Sequence, residues 1–186
     1  MKVTALLFSC LFIAFLIWLL LSPNSIILSI CITLGVIAYH FAMRLIVGTS
    51  VDLIFHNKMN YNLFWFRQRK FEKKLYKLLW VRKWAKKIPT YSPDTFSVEK
   101  HSWKEIAMAT CQSEIVHELI ILFSLLPTLL IIPFGTPLVF ILTSIASCFI
   151  DATFVIVQRY NRPKLIAYIT RLDKKILQKK EHNHDQ

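Results

Sequence analysis

Two long stretches of this chain carry no charge: no Asp, Glu, Lys or Arg occurs between Lys2 and Arg44, and none between Glu118 and Asp151. Soluble domains are about a quarter charged and spread those charges along the sequence, so the pattern predicts insertion into a membrane. If Val3 to Met43 formed one helix rising about 1.5 Å per residue, it would be roughly 60 Å long against a hydrocarbon core of about 30 Å. The run has to fold back. Its corner is Ser22-Pro23-Asn24-Ser25, where proline removes a backbone donor and Asn and Ser suit a turn. The second apolar block, Leu119 to Gln158, is again too long for one crossing and is broken by Pro133-Phe134-Gly135-Thr136-Pro137.

The expected fold is therefore all-α and integral to the membrane. Four transmembrane helices are placed near Val3–Leu21, Ile26–Ile46, Ile115–Ile132 and Leu138–Val157, paired as two hairpins. Residues 1–60 form the first hairpin, 61–113 a cytoplasmic basic amphipathic segment, 114–160 the second hairpin and 161–186 an amphipathic tail. The first span reads as a retained anchor, because its apolar run exceeds a signal-peptide core of about 7 to 15 residues and Leu21-Ser22-Pro23 lacks a small-x-small cleavage site.

Orientation follows from the positive residues. Of 23 Lys and Arg, 13 lie between Lys58 and Lys104 and 8 from Arg159 onward, and neither Pro-containing corner has one. The positive-inside rule then puts both termini and the middle segment in the cytoplasm of a multi-pass cell-membrane protein. A net charge of +12 reads as topology plus attraction to anionic lipids, with no nucleic-acid partner implied. Within Tyr61 to Lys87, Phe71, Leu75, Leu78 and Leu79 recur at helical spacing, while Lys73, Lys77, Arg82, Lys86 and Lys87 fall largely elsewhere around the helix. With Trp65, Trp80 and Trp84 added, this describes one interfacial helix, ended by Pro89 and Pro93. Leu165, Ile169, Leu172 and Ile176 repeat the theme in the tail.

No Gly-rich phosphate loop, nucleophile elbow or HExxH pattern occurs, and Cys10, Cys31, Cys111 and Cys148 show no metal-ligand spacing, so neither cofactor nor metal is expected. Cys111, near the inner start of the third span, admits an acyl-enzyme role. The informative residues are the polar ones at membrane depth, where each ionisable side chain costs about 2.5 to 3.5 kcal/mol and usually marks a site or a buried pair. His40 and Arg44 share a face of the second span, Glu114, His117 and Glu118 a face of the third, and Asp151 and Gln158 a face of the fourth, which runs into Arg159-Tyr160-Asn161-Arg162-Pro163. Asp151 has Arg44 or Arg159 as a packing partner. All gather at the cytoplasmic half of the bilayer. His117, set between two carboxylates, is the candidate general base.

These residues carry a resemblance. Ile156-Val157-Gln158-Arg159-Tyr160-Asn161-Arg162-Pro163-Lys164-Leu165 resembles the signature of the glycosyl-diaponeurosporenoate acyltransferase family, which attaches a fatty acyl chain to a glycosylated carotenoid in staphyloxanthin-type pigment synthesis. Phe71-Glu72, Val81-Arg82-Lys83-Trp84 with Ile88-Pro89, and Glu114-Ile115-Val116-His117 support it, over roughly Phe71 to Leu172. The resemblance implies a membrane O-acyltransferase with acyl-CoA as co-substrate and a lipid-linked hydroxyl as acceptor. Under that reading His117 is the base, Glu114 orients it, and Arg159, Asn161 and Arg162 bind the carbonyl or the CoA phosphates. Gln158, Tyr160, Asp151, Glu118, Arg82, Trp84, Arg44 and His40 contact substrate. Anionic lipids and other enzymes of the pathway are the remaining partners. From the residues alone, a non-catalytic membrane subunit or assembly factor and a lipid methyltransferase whose Arg-Pro-containing inner loop holds the donor stay open.

Overall fold

The computed structural model describes residues 2–88 and 93–184 and contains no strand among them. In chain order the helices are α1 (Lys2–Leu21), α2 (Ser25–Phe55), α3 (Lys70–Leu78), α4 (Val81–Trp84), α5 (Trp103–Ser124), α6 (Ile131–Phe134) and α7 (Pro137–His184). Short 3-10 turns occupy Phe64–Phe66, Ala85–Lys87, Pro93–Phe96 and Leu126–Leu130. Among the described residues four segments are long and apolar enough to cross a membrane: α1, α2, Trp103–Phe134 and the apolar part of α7. Between 6% and 33% of their most apolar windows is buried within the protein. Most of that apolar surface therefore faces outward, which suits lipid and not water.

The chain divides into two compact units, Met1–Ile54 with Val116–Thr153 and Phe55–Ile115 with Phe154–Gln186. In the first, α1 packs on α2: Phe8 stacks on Phe41 with ring centroids 5.7 Å apart. Gly35 lets the helices approach there, since a Cβ at that position would fall 2.8 Å from the Phe12 ring and force it to shift. The expected corner is present, and Asn24 Oδ1 accepts the Ile26 N–H at 2.8 Å to cap α2. Met43, Val47 and Val51 of α2 bury against Ile120 of α5, flanked by Tyr39 and Phe123. The Tyr39 hydroxyl donates to the Phe123 carbonyl at 2.9 Å. After the 3-10 turn at Pro127, Gly135 ends α6 at φ +66° with its N–H on the Ile131 carbonyl, and Pro137 opens α7.

In the second unit the structure departs from the sequence reading in three places. The single interfacial helix over Tyr61–Lys87 is instead α3, α4 and two 3-10 turns, because Trp80 adopts φ 52° and breaks the helical run. That break lets Val81 and Ala85 join Tyr76 in a core against Ile156, Val157 and Tyr160. Glu72 and Tyr76 form the buried face of α3, and Phe71, Leu75 and Leu78 point outward. Pro89, expected to end this helix, lies outside the described residues. The third span extends back to Trp103: Ser102 and Glu105 form a reciprocal capping box, the Glu105 carboxylate accepting the Ser102 N–H at 2.7 Å and Ser102 Oγ the Glu105 N–H at 3.3 Å. Finally, the Gln158–Pro163 run is no loop; α7 continues through Pro163 to His184.

Candidate active site

In the first unit three helices meet at Asp151, whose side chain is 2% exposed. Its Oδ2 accepts Arg44 Nη2 at 2.5 Å, and its Oδ1 lies 2.8 Å from His117 Nδ1. Arg44 Nη2 also donates to Ser147 Oγ at 2.8 Å, and Ser147 Oγ is 2.7 Å from Ser124 Oγ. Arg44 Nη1 reaches the His40 carbonyl at 3.3 Å. One carboxylate thus bridges a guanidinium on α2 and an imidazole on α5. With Asp151 accepting from Nδ1–H, the neutral imidazole carries its lone pair on Nε2. His117 retains 20% side-chain exposure, so the ring is not sealed off. His40 is buried, and both its ring nitrogens lack a hydrogen-bond partner among the described residues. Glu118, next along α5, is half-buried.

The second unit holds a separate ion-pair network. Arg159 uses all five of its N–H donors: Nε (3.2 Å) and Nη2 (2.6 Å) on Glu72 Oε1, Nη1 on Glu114 Oε1 (2.5 Å) and the Trp65 carbonyl (3.2 Å), and Nη2 on the Arg67 carbonyl (3.3 Å). Arg162 is fully buried. It pairs with Glu114 Oε2 at 2.6 Å, donates to Thr110 Oγ1 and the Thr110 carbonyl at 2.9 Å each and to the Phe66 carbonyl at 3.4 Å, and lies over the Phe66 ring. The Tyr76 hydroxyl donates to Glu72 Oε2 at 2.8 Å. Burial, reinforced by that bond to Glu72, holds the Tyr76 phenol protonated well above its ordinary range. Two guanidiniums against two carboxylates leave the network neutral, which is what permits its burial.

Around it, Gln158 Nε2 donates to Ser113 Oγ at 3.2 Å, and Tyr160 packs edge-on against Tyr76 with Lys164 Nζ over its ring. Trp84 Nε1 donates to the Leu79 carbonyl, and Arg82 and Asn161 are exposed. Cys111 is fully buried with its thiol on the Ala107 carbonyl at 3.4 Å, closed to any acyl donor in this geometry.

The expected residues thus separate into His40, Arg44, His117, Glu118 and Asp151 in one unit, and Arg82, Trp84, Glu114, Gln158, Arg159, Tyr160, Asn161 and Arg162 in the other. The carboxylate on His117 Nδ1 is Asp151, while Glu114 holds Arg159 and Arg162. Helical periodicity finds neighbours on one helix, such as Glu114 and His117, and is blind to a partner 34 residues away on another. Ser124, Ser147, Glu72, Tyr76 and Thr110 were not singled out as site residues. The serines had a signal, being polar within uncharged apolar runs, and Thr110 lies one turn before Glu114 on the same face.

Over the described residues this is an all-α protein with four span-length apolar helices, which suggest a membrane protein, and with a partly exposed histidine held against a buried carboxylate. Residues 62–171 match the model of the CrtO family, glycosyl-4,4'-diaponeurosporenoate acyltransferase. That match spans more than half of the chain, so the chain belongs to this family and is an acyltransferase, with a role in carotenoid modification. No curated protein and no solved structure matches it.

Proposed function

We propose that the protein is an integral membrane O-acyltransferase that moves a fatty acyl chain from acyl-CoA to a hydroxyl of a lipid-linked sugar such as a glycosylated carotenoid. The observation that carries this reading is the His117–Asp151–Arg44 chain. His117 Nε2 takes the proton of the acceptor hydroxyl as its oxygen attacks the thioester carbonyl. The tetrahedral adduct collapses, the carbon–sulfur bond breaks, and the imidazolium returns the proton to the departing CoA thiolate. Asp151 holds the ring in the required tautomer and stabilises the imidazolium, and Arg44 fixes Asp151. Both are positioning residues.

Arg159 and Arg162 are positioning residues in the second unit. Their donors are engaged by Glu72, Glu114, Thr110 and backbone carbonyls, so they hold α7 to residues 65–67 rather than grip phosphates. The positive-inside pattern supports two hairpins with both termini and the middle segment in the cytoplasm of the cell. The outward Phe71, Leu75 and Leu78 beside many lysines support docking of α3 on anionic head groups. No cofactor enters this scheme.

Protein reconstituted in lipid with labelled acyl-CoA and a glycosylated carotenoid tests it. Label recovered in the carotenoid is the expected result. Binding of acyl-CoA without transfer would favour the non-catalytic subunit, and transfer of a methyl group from a nucleotide-bearing donor would favour the methyltransferase.

A further inference from the structure

In the second unit, Phe66, Pro163, Ile166 and Ala167 floor a groove of about 360 Å³, and Tyr61, Asn62, Arg67 and Gln68 form its rim. This volume lies within the range of small-molecule sites, about 300 to 1,000 Å³. We propose that this groove binds the adenine nucleotide end of the acyl donor; the assignment rests on acyl-CoA being that donor.

The lining is mostly apolar with a few polar groups, a combination that suits the faces of a heteroaromatic base whose edge and phosphates those groups would meet. Tyr61 offers ring surface for a heteroaromatic base, while Phe66, 5% exposed with Arg162 over its ring, contributes an apolar edge. The Asn62 and Gln68 amides present donors and acceptors of the kind that read a base edge. Arg67 supplies the cation for phosphate, and among the described residues no carboxylate lines the groove. An acyl chain would use none of these polar groups. The local field agrees: between Arg67 and Lys74 stand Arg69, Lys70 and Lys73, and the one acid there, Glu72, is buried and neutralised by Arg159.

The wall is also braced by hydrogen bonds of its own. Asn62 N–H donates to Asn60 Oδ1 at 2.9 Å, and Arg67 Nε donates to the Asn62 carbonyl at 3.2 Å. The Phe66 and Arg67 carbonyls are held by Arg162 and Arg159. The buried ion-pair network therefore preorganises the segment that forms the rim, which lowers the ordering cost of binding.

The test uses the full chain in phosphatidylcholine nanodiscs, with adenosine 3',5'-bisphosphate as probe in equilibrium binding and CoA as competitor. Saturable binding displaced by CoA is expected. Arg67→Glu should weaken it by about tenfold or more, the scale of a charge-assisted hydrogen bond, with Arg67→Lys in between. Ala167→Trp should fill the groove and abolish binding. Arg67 is exposed, so its variants report even where Ala167→Trp fails to fold. Unchanged binding in the Arg67 variants, or affinity for the bisphosphate no greater than for inorganic phosphate, would overturn the proposal. Transfer assays separate it from the donor reading. A wild-type acyl-CoA KM in Arg67→Glu overturns the groove and leaves the donor standing; bisphosphate binding in a protein that never accepts acyl-CoA overturns the donor and leaves the nucleotide site standing.

Discussion

His117 Nδ1 stands 2.8 Å from Asp151 Oδ1, and the other oxygen of the same carboxylate is taken by Arg44. A histidine so held presents one ring nitrogen in a fixed direction and tautomer. Asp151→Asn keeps the size of the side chain and places an amide beside Nδ1, which permits the wrong tautomer. Turnover should fall about 100-fold or more while the acyl-CoA KM changes little, as expected for a group acting only in the transition state. A raised KM with unchanged turnover would make Asp151 a substrate-binding group.

Glu114 accepts from Arg159, forms an ion pair with Arg162 and has no exposed side-chain surface. Glu114→Gln removes the charge that neutralises two buried guanidiniums, a loss of about 3 to 5 kcal/mol when a buried pair is broken. The thermal midpoint of the purified protein should drop, and the fraction that remains folded should keep its KM. Unaltered stability with impaired substrate affinity would show that these groups serve the ligand and not the fold.

Tyr76 adds a pH dependence. Its phenol is held protonated in the folded protein beyond its unfolded pKa of about 10. The folded value being the higher one, the stabilisation is complete below pH about 10 and is lost as pH rises above it toward the folded value. Tyr76→Phe, which cannot bond Glu72, should be less stable at neutral pH by about 1 to 3 kcal/mol and should lose less on going alkaline. Parallel alkaline curves for the two proteins would contradict this.

The uncharged runs made the four span-length helices legible, and Pro23-Asn24 and Gly135 marked where the chain turns, because these are local constraints on solvation and backbone angle. The start of α5 was legible too, since Ser102 and Glu105 have capping-box spacing, but the length argument placed the span later. The break at Trp80 was hidden, because a left-handed tryptophan is paid for by burying Val81 and Ala85, a tertiary contact with no local signature. The pairings that define the sites join residues on different helices, Arg159 with Glu72 across 87 positions among them. Composition announced that buried charges needed partners and offered Arg44 as one of two for Asp151; the fold assigned the others.

Topology can be checked without activity. Cysteines introduced at Asn24 and Thr136, the corners that lack Lys and Arg, should label from outside intact cells, and one at Ser97 should label only after permeabilisation. External labelling at Ser97 would reverse the orientation and remove cytosolic acyl-CoA from reach of the middle segment.

The most direct test of the account is acyl transfer per inserted molecule by His117→Ala, with Cys111→Ser alongside. General-base assistance contributes about 100 to 10,000-fold, so His117→Ala should insert normally and lose at least about 99% of transfer, while Cys111→Ser stays active. A fully active His117→Ala would contradict the general-base assignment, and an inactive Cys111→Ser would move the chemistry to an acyl-enzyme.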